Sequence, residues 1–404
     1  VTRTAFRIAL AAGLTCAPAA AAQVSFKGGP EELGQELIRR TQSAAYPMFG
    51  YDLSEIQEGA ARLRSKDPDD WASLWSEFGE KHFAAGRAAE RGGNAPLAQR
   101  EYSAAFDWFS LARWPAPQTT RRRLAYDRSL EAFQAYDRLN DPPLQTLRIS
   151  FGTQTVTALL RTPKGAGPFP LFIQIGGLDG YKELLARGQS VSLAQAGVAT
   201  LMLDSPGTGQ GVKITPEAWR SLQVTIEAVL RQPDIDAKRV VLWGGSFGGY
   251  WATLLAYRMP DAFRGVVAHG GPLGIAEMPL TDEYLFDQDI ALTYAVQGAR
   301  NWTDARRLTR GLNLARSGVL SGRTPPMLLL NGAKDTLVPI ADLYAVLRSG
   351  ETPKDAWVNP QGVHLGRQAG VWTFGKISET ITMPWVYAHL GMAKPVLAHA
   401  SDIP

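Results

Sequence analysis

A serine flanked by glycines is the first place in the chain where residue types and spacing predict chemistry. Ser246 lies between Gly244 and Gly248, directly after the apolar run Val240–Trp243 and directly before a helical pattern. Such a strand–turn–helix segment holds a serine hydroxyl above the edge of a sheet, and glycines two positions away on each side avoid a collision of side chains. The pattern predicts that Ser246 is a nucleophile; a structural glycine-rich turn is the alternative.

The two partners that a nucleophilic serine needs follow it in the order acid, then histidine. Asp335 comes just after a predicted strand, where catalytic groups collect in open α/β sheets, and His364 follows the last predicted strand on a short loop. Asp342 is a rival acid inside the next predicted helix, and His269 is a rival histidine expected to line the floor of the site. The sequence predicts Ser246, Asp335 and His364 as a catalytic triad.

Acyl chemistry also needs two N–H donors for the oxygen that becomes negatively charged. One donor is expected to be the amide of Phe247, the residue after the serine. The second is expected in the glycine-rich loop 176–183, at Leu178 or, failing that, at Gly177. A plain tight turn is the alternative. The other glycine-rich loop, 204–211, fits no phosphate-binding spacing and is interpreted as structural.

The elements that must position these residues alternate between strand and helix after residue 143. The predicted strands are Leu144–Phe151, Thr155–Arg161, Leu171–Ile175, Ala199–Asp204, Val240–Trp243, Gly265–Ala268, Met327–Asn331 and Ala356–Val358. This alternation predicts an α/β fold with a mostly parallel central sheet. A mainly helical stretch, residues 274–323, breaks the rhythm and is predicted to be an insertion between two strands.

The chain before this sheet shows only helical periodicity. The predicted helices are Glu31–Ala45, Ser54–Arg64, Pro68–Arg91, Ala95–Arg113 and Thr119–Leu139. Asn140–Pro143 marks a boundary, so we predict an all-helical cap domain over residues 23–143 and a catalytic domain over residues 144–404. Most aromatic side chains of the cap are expected in its core, and its amphipathic helices also suit a homodimer.

The first 22 residues have the pattern of a secretory signal peptide. Arg3 and Arg7 form a positively charged region before a short apolar run, Ile8–Leu14, and the small residues that follow end at Ala22. We therefore expect Sec-type export to the periplasm or the exterior, with cleavage after Ala22. The single cysteine, Cys16, lies in this segment, so the exported chain is expected to have neither a disulfide nor a thiol nucleophile.

Composition excludes several classes of protein. The chain has 404 residues, 45% of them hydrophobic, which is enough for a sizeable core. No apolar run reaches the roughly 18 residues of a membrane span. The formal charge is only +4, and the one basic run, Arg121–Arg123, is predicted on a solvated helix face, so nucleic-acid binding lacks support. Metal-binding and cofactor-binding motifs are also missing, so neither a metal nor a cofactor is expected.

The glycine-rich segments together resemble three successive motifs of a known family. They are Gly176–Asp179 with Lys182-Glu183, Asp204–Gly209 and Gly245–Tyr250. They are similar to those of α/β-hydrolase-fold esterases with an N-terminal helical cap, the group of the fermentation–respiration switch protein-like esterases and 2,6-dihydroxypseudooxynicotine hydrolase. The resemblance implies an α/β-hydrolase fold, a helical domain over the catalytic edge of the sheet, and a small organic substrate.

The resemblance leaves the reaction open. It implies hydrolysis of a carboxylic ester through an acyl-enzyme, and hydrolysis of a carbon–carbon bond in β-diketone-like substrates is the alternative. The carbon–carbon hydrolase of the group uses an additional acid, for which Glu277 is the candidate; a solvated loop glutamate is the other interpretation. The segment Gly244–Tyr250 also resembles prolyl oligopeptidases, but repeated four-stranded blades are missing, so a peptidase is the weaker hypothesis.

Overall fold

The structure is a computed structural model that describes residues 28–278 and 288–393. The predicted signal peptide, including Cys16 and the cleavage site at Ala22, lies outside the described residues. Five helices open the described chain: α1 (Pro30–Gln42), α2 (Leu53–Arg62), α3 (Pro68–Arg91), α4 (Ala95–Ala112) and α5 (Thr120–Asp137). They match the predicted helices to within three residues at each end, and we refer to Pro30–Asp137 as the helical region.

Local side chains fix where these helices begin. The residues before α2, α3, α4 and α5 accept hydrogen bonds from backbone amides of the first helical turn; they are Asp52, Asp67, Asn94 and Thr119. Such caps satisfy amides that have no partner inside the helix. The helical region is therefore set by its own sequence at each helix start.

Aromatic side chains form the core of the helical region, as the periodicity predicts. Trp75 is fully buried and stacks on Trp108 with ring centroids 5.6 Å apart, and Phe78 stacks on the same indole at 4.8 Å. Helix α2 approaches closely, since a β-carbon on Gly59 would lie 2.2 Å from the Trp75 ring. A stacked indole pair thus joins α2, α3 and α4.

The arginine run on α5 corrects one expectation. Arg121 and Arg123 are exposed, but Arg122 between them is fully buried. Because α5 packs against both α3 and α4, one position of any three successive residues points into the bundle. The run is therefore not a uniformly solvated face.

The rest of the described chain is organised around one eight-stranded sheet. Its strands are β1 (Gln145–Phe151), β2 (Gln154–Arg161), β3 (Phe169–Ile175), β4 (Ala199–Leu203), β5 (Ile235–Gly245), β6 (Gly265–His269), β7 (Met327–Gly332) and β8 (Lys354–Asn359). The spatial order is β1-β2-β4-β3-β5-β6-β7-β8, and pairing is parallel from β4 through β8. The pairings of β2 with β1 and with β4 are antiparallel. All eight predicted strands and the mostly parallel sheet are confirmed.

Helices cover both faces of this sheet. They are α6 (Lys182–Arg187), α7 (Ser190–Gln195), α8 (Trp219–Leu230), α9 (Phe247–Arg258), α10 (Gln288–Ala295), α11 (Trp302–Thr309), α12 (Ile340–Leu347), α13 (Phe374–Ile377) and α14 (Met383–His389). The sequence pattern predicts one helix over Glu183–Ala196 after β3, and this prediction is wrong, because Gly188 separates α6 from α7. The last helix that the pattern predicts, Val371–His389, is interrupted too, by a π-helical turn at Ser378–Thr382 between α13 and α14. Helices α10 and α11 lie in the predicted insertion between β6 and β7.

The helical region packs on the β2–β4 side of the sheet and on α6. One buried cluster joins the two regions: Phe106, Phe109 and Phe133 with Leu159, Ala186 and Met202. Two ion pairs cross the same boundary: Arg187 of α6 binds Asp107 of α4 at 2.5 Å, and Arg161 of β2 binds Asp137 of α5. This contact places α4 and α5 beside the loop that follows β3. Among the described residues, no helix is long and apolar enough to cross a membrane.

Candidate active site

Ser246 lies on the sharp turn between β5 and α9. Its φ of +53° is in the left-handed region that residues other than glycine rarely adopt, so the turn holds the backbone in a strained conformation. A β-carbon on Gly244 would lie 2.1 Å from the carbonyl oxygen of Gly248, and one on Gly248 would lie 2.3 Å from the carbonyl oxygen of Ile175. The turn can therefore form only with glycine at both positions.

The structure brings the three predicted residues together in one chain of hydrogen bonds. His364 Nε2 lies 2.8 Å from Ser246 Oγ, and His364 Nδ1 lies 2.7 Å from Asp335 Oδ2. With a neutral imidazole, Nδ1–H donates to the carboxylate and Nε2 accepts from the serine hydroxyl. The His364 side chain is 6% exposed and that of Asp335 is fully buried, so bulk water competes little for these bonds.

Asp335 is held as an anion in the turn that leads from β7 to α12. Its Oδ1 accepts hydrogen bonds from the backbone amides of Leu337 at 2.8 Å and Val338 at 3.0 Å. Burial by itself raises the pKa of this carboxyl, but the charge and hydrogen bond of His364 and the Val338 amide outweigh it, so the pKa is lowered. The carboxylate is thus charged at neutral pH.

The loop that carries His364 is clamped at the next residue. The backbone amide of Leu365 donates to Asn331 Oδ1 at 3.1 Å, and its carbonyl oxygen lies 2.8 Å from His269 Nε2. Leu365 has a φ of +63°, a conformation that costs an ordinary residue about 1–2 kcal/mol. Burial lowers the pKa of His269 to about 4, so its imidazole is neutral and supports the loop from beneath. His269 is thus part of the support, and its backbone carbonyl oxygen accepts a hydrogen bond from the Ser246 amide at 2.8 Å.

The two other carboxylates that the sequence raised lie outside this chain of hydrogen bonds. Asp342, in the first turn of α12, accepts a backbone amide at 2.9 Å, and burial raises its pKa. Glu277 pairs with Arg316 at 3.0 Å, and its side chain is 35% exposed. None of the contacts described for either carboxylate reaches His364, so Asp335 is the acid that the structure places against the histidine.

Backbone amides border the serine on two sides. Phe247 is the first residue of α9, where an amide has no partner within the helix. Gly177 lies against the nucleophile, since a β-carbon there would be 3.5 Å from Ser246 Cβ. Within residues 28–278 and 288–393, the amides of Phe247, Gly177 and Leu178 donate to no protein acceptor. The site therefore has unused N–H donors where the sequence predicts an oxyanion hole.

A contact from the helical region, which the sequence analysis missed, holds the loop after β3. Arg113, at the C-terminal end of α4, donates from Nη2 to the carbonyl oxygen of Asp179 at 2.8 Å. Its guanidinium also lies over the ring of Tyr181, 3.7 Å from the centroid. The partners are 66 residues apart in the chain, and no local pattern marks such a pair.

A buried lysine explains the spacing of two of the glycine-rich motifs. Lys182 Nζ lies 2.6 Å from Glu183 Oε1, 2.9 Å from Asp204 Oδ2 and 2.8 Å from Gln210 Oε1. Burial alone lowers the pKa of this lysine, but the two carboxylates outweigh it and raise the pKa. Lys182 thus fastens the loop after β3 to the loop after β4. Among the described residues, no group of three or more metal-ligating side chains is clustered.

Known proteins resemble this chain both in sequence and in structure. Residues 66–342 match the model of the family described as Esterase FrsA-like. The chain is 25% identical to Hydrolase LUC6 of Fusarium sp over 60% of its own length and 61% of that protein. It is 25% identical to Esterase FrsA of Photobacterium profundum over 51% of its length and 50% of that protein. The chain thus spans about half to three-fifths of these relatives.

A solved structure extends the likeness to nearly the whole fold. The structure of 2,6-dihydroxy-pseudo-oxynicotine hydrolase superposes with a TM-score of 0.69 at 21% identity, and the match covers 86% of this chain and 96% of that one. The predicted α/β-hydrolase fold with an N-terminal helical part is confirmed.

Proposed function

Because the chain belongs to the FrsA-like esterase family and is a hydrolase of the α/β-hydrolase fold, we propose that it cleaves a carboxylic ester of a small organic substrate through an acyl-enzyme. Ser246 is the nucleophile, His364 the general base and Asp335 the group that orients the imidazole. One observation carries the proposal: His364 lies 2.8 Å from Ser246 Oγ and 2.7 Å from Asp335 Oδ2.

Acylation begins at the serine hydroxyl. Ser246 Oγ attacks the acyl carbon while its proton moves to His364 Nε2. The imidazolium that forms is stabilised by Asp335, whose lowered pKa keeps it ionised. The proton then passes from His364 to the oxygen of the departing alcohol, and the acyl group stays on Ser246.

The negative charge of the tetrahedral intermediate falls on the former carbonyl oxygen. We assign its two donors to the amide of Phe247 and to the amide of Leu178, with Gly177 as the neighbouring choice. The support is that Phe247 follows Ser246, that Gly177 lies against Ser246, and that the amides of Phe247, Gly177 and Leu178 have no acceptor in the described chain. The N-terminus of α9 adds a favourable dipole at the same place.

Deacylation repeats the steps with water in place of the alcohol. His364 removes a proton from the water, the hydroxide adds to the acyl carbon, and the second intermediate collapses to release the carboxylic acid. The proton on His364 returns to Ser246 Oγ. One water is consumed for each ester cleaved, and the triad ends in its starting protonation state.

Hydrolysis of a carbon–carbon bond by the same triad is the second candidate. Burial raises the pKa of Tyr250, which lies one helical turn after Ser246, and the charge of Glu277 raises it further. The nearness of Glu277, the predicted auxiliary acid, to this helix favours the second candidate. A Glu277→Gln variant separates the two functions. Ester hydrolysis should tolerate the change, whereas carbon–carbon cleavage that depends on this acid should be lost.

The first test is turnover of short-chain p-nitrophenyl esters beside the Ser246→Ala variant. We expect turnover by the wild type and none by the variant. Labelling by a fluorophosphonate without ester turnover would keep the serine nucleophile and favour the carbon–carbon reaction. Failure of both turnover and labelling would overturn the proposal.

Export is a separate proposal that rests on the sequence alone. We propose that residues 1–22 direct Sec-type secretion and are removed after Ala22. Intact-mass analysis of the protein recovered from the periplasm or medium of its host tests this. The expected mass is that of a chain beginning at Gln23, and an uncleaved chain retained in the cytoplasm would contradict it.

A further inference from the structure

Arg113 is a buried cation at the boundary between the helical region and the loop after β3. The residue is 5% exposed, and its Nη2 donates to the carbonyl oxygen of Asp179 at 2.8 Å. Within residues 28–278 and 288–393, its Nη1 has no hydrogen-bond acceptor, and no carboxylate lies within ion-pair distance of the guanidinium. A charged donor that is buried without an acceptor costs free energy, so Nη1 is suited to an acceptor from outside the chain.

A buried phenol lies beside this cation. Tyr126 of α5 is 8% exposed, and its hydroxyl has no hydrogen-bond partner in the described part of the chain. The ring of Tyr181 contacts both groups: the Tyr126 ring packs edge-on against it, with centroids 5.4 Å apart, and the Arg113 guanidinium lies 3.7 Å from its centroid. Two hydrogen-bond donors without acceptors are therefore held against the same ring.

The buried carboxylates near the Tyr126 hydroxyl bind a different cation. The charges of Glu183 and Asp204 add to the effect of burial and raise the pKa of Tyr126, whereas the charge of Arg113 opposes the rise. Both carboxylates contact Lys182 Nζ, at 2.6 Å and 2.9 Å. They are thus turned toward Lys182 and do not supply the acceptor that Arg113 and Tyr126 lack.

The helix α10 and the loop after β4 add positive charge at the same boundary. Lys213 Nζ lies 3.2 Å from the centre of the Tyr294 ring on α10, and burial lowers the pKa of Lys213 to about 8. The charges of Arg113 and Arg123 both act on the phenol of Tyr294. Among the described residues, neither Lys213 nor Arg123 forms an ion pair with a carboxylate. This surrounding charge favours an anion beside the two donors.

We propose that Arg113 Nη1 and the Tyr126 hydroxyl bind a carboxylate group of the substrate, so that the preferred esters carry a free carboxylate besides the ester group. A carboxylate offers acceptors only, and a guanidinium and a phenol both donate to it, with the charge of the guanidinium strengthening the hydrogen bond. The inference rests on the proposed esterase activity and names a chemical class for its substrate.

The carboxylate site lies within reach of the nucleophile. Arg113 binds the carbonyl oxygen of Asp179, and Gly177 lies against Ser246, since a β-carbon there would be 3.5 Å from Ser246 Cβ. The α-carbons of Gly177 and Asp179 are two residues apart, which is at most roughly 7 Å. A substrate with a short chain between its ester and its carboxylate can therefore contact both places, and one chain length should fit best.

The test compares pairs of esters that differ in charge but not in shape. Each pair is the monoethyl ester of a linear dicarboxylic acid, from butanedioate to octanedioate, and the same ester with a carboxamide in place of the free carboxylate. The measured quantity is the ratio of kcat/KM for the acid to that for the amide at pH 7. We expect a ratio of at least about tenfold at one chain length, the value of a charge-assisted hydrogen bond, and smaller ratios at other lengths.

A second series places the carboxylate on the alcohol side of the ester. It consists of acetate esters of linear ω-hydroxy acids, each compared with its carboxamide. Because a fixed site can hold the carboxylate of only one side at the correct distance, we expect the preference in one of the two series and a ratio near one in the other.

Two substitutions remove the donors one at a time. Arg113→Met should bring the ratio close to one; the loop after β3 loses a contact as well, but this lowers both rates of a pair and cancels in the ratio. Tyr126→Phe removes a single hydroxyl, so the fold is kept and the ratio should fall about fivefold, the value of one hydrogen bond.

Two matched controls should keep the wild-type ratio. Tyr387→Phe removes another buried hydroxyl that has no partner in the described chain, on α14 and in a different cluster. Arg121→Met removes an exposed guanidinium from α5. A change of the ratio in these controls as large as in Tyr126→Phe and Arg113→Met would overturn the assignment of the two donors.

Binding without turnover gives an independent measurement. Isothermal titration calorimetry of the Ser246→Ala variant with the preferred acid ester should show binding at least about tenfold tighter than with its amide. Addition of Arg113→Met to this variant should abolish the difference. Equal binding of acid and amide by Ser246→Ala would contradict the carboxylate site.

The remaining outcomes also decide between the two proposals. A ratio near one at every length in both series, or a ratio above one that is equal at all lengths, would overturn the inference, since the latter indicates general attraction by positive charge. Ester hydrolysis by Ser246 would stand in either case. If the wild type hydrolysed none of the esters, the proposed function would fail, and the calorimetry would show by itself whether Arg113 and Tyr126 bind a carboxylate.

Discussion

The sheet and the helical region contribute to the site by different physical means. Three places along the carboxyl edge of the sheet supply the proposed triad, since Ser246 follows β5, Asp335 follows β7 and His364 follows β8. The helical region reaches the site through a side chain, Arg113, that holds the loop after β3. The sheet thus positions the candidate catalytic residues on local turns, whereas the helical region acts through contacts between distant parts of the chain.

The two regions also differ in what fills their cores. The sheet is packed mostly by aliphatic side chains, with rings such as Phe247 and Trp251 among them, and its central strands are fully buried on both faces, as continuous apolar runs require. The helical region relies on large rings, with Trp75, Trp108 and Phe78 stacked in one cluster. We therefore expect substitutions in the ring cluster to lower stability more than activity, and substitutions at the sheet edge to lower activity more than stability.

The largest effect is expected from Ser246→Ala. Removing the nucleophile should lower kcat/KM for a p-nitrophenyl ester by about 10⁶-fold, because no other step can form the acyl-enzyme. Thermal unfolding of the variant should occur at the wild-type temperature or above it, since alanine removes a hydroxyl and leaves the turn glycines in place. Activity that persists within tenfold of the wild type would show that the sheet edge does not hold the nucleophile.

A smaller loss is expected from Asp335→Asn. The amide cannot stabilise the imidazolium and favours the wrong tautomer of His364, so kcat should fall by about 10⁴-fold. Steady-state kinetics with the same ester measures this, and Asp342→Asn is the matched control on the neighbouring helix. An equal loss of kcat in Asp342→Asn would assign the role of the acid to Asp342 instead of Asp335.

The same substitution has a consequence for stability in acid. The folded-state pKa of Asp335 is lowered, so its contribution to folding is complete above the ordinary aspartate pKa, about 3.9, and is lost as pH falls through the lower folded value. Urea unfolding from pH 6 to pH 2 should therefore show a steeper loss of free energy in the wild type than in Asp335→Asn. Parallel curves would contradict an ionised, paired carboxylate.

Sequence alone predicts the proposed triad because each member lies on a local pattern. A strand followed by glycines and a helix fixes Ser246, and a polar residue just past a strand fixes Asp335 and His364, whatever the rest of the chain does. The pairing of Arg113 with Asp179 has no such pattern, since it depends on how α4 packs against the loop. The break at Gly188 has no sequence signal either, because apolar periodicity continues across it.

The ring cluster of the helical region should dominate stability there. Trp75→Ala removes a fully buried indole and should lower the free energy of unfolding by about 3–5 kcal/mol. Urea denaturation measures the loss, and fluorophosphonate labelling of the folded variant should persist. Trp251→Ala is the counterpart on α9: its ring lies 5.9 Å from that of Phe247, so labelling should be lost together with stability. Equal loss of labelling in both variants would show that the reactivity of Ser246 depends on the core of the helical region as much as on the packing of α9.

The smallest effect is expected where the two regions meet. Arg113→Met keeps the apolar stem of the side chain but removes the hydrogen bond to the Asp179 carbonyl and the charge over Tyr181. Without this hold, the loop that carries the Leu178 amide should position its donor less well, and kcat should fall about tenfold, the value of one charge-assisted hydrogen bond.

Steady-state kinetics distinguishes this role from substrate binding. A loss in kcat with KM unchanged is expected if Arg113 positions the loop, because the Leu178 donor then acts in the transition state. Arg121→Met, which removes an exposed guanidinium from the neighbouring helix, is the matched control and should keep the wild-type kcat. If Arg113→Met also kept it, the helical region would only cover the site, and the loop after β3 would owe its position to the buried Lys182 cluster alone.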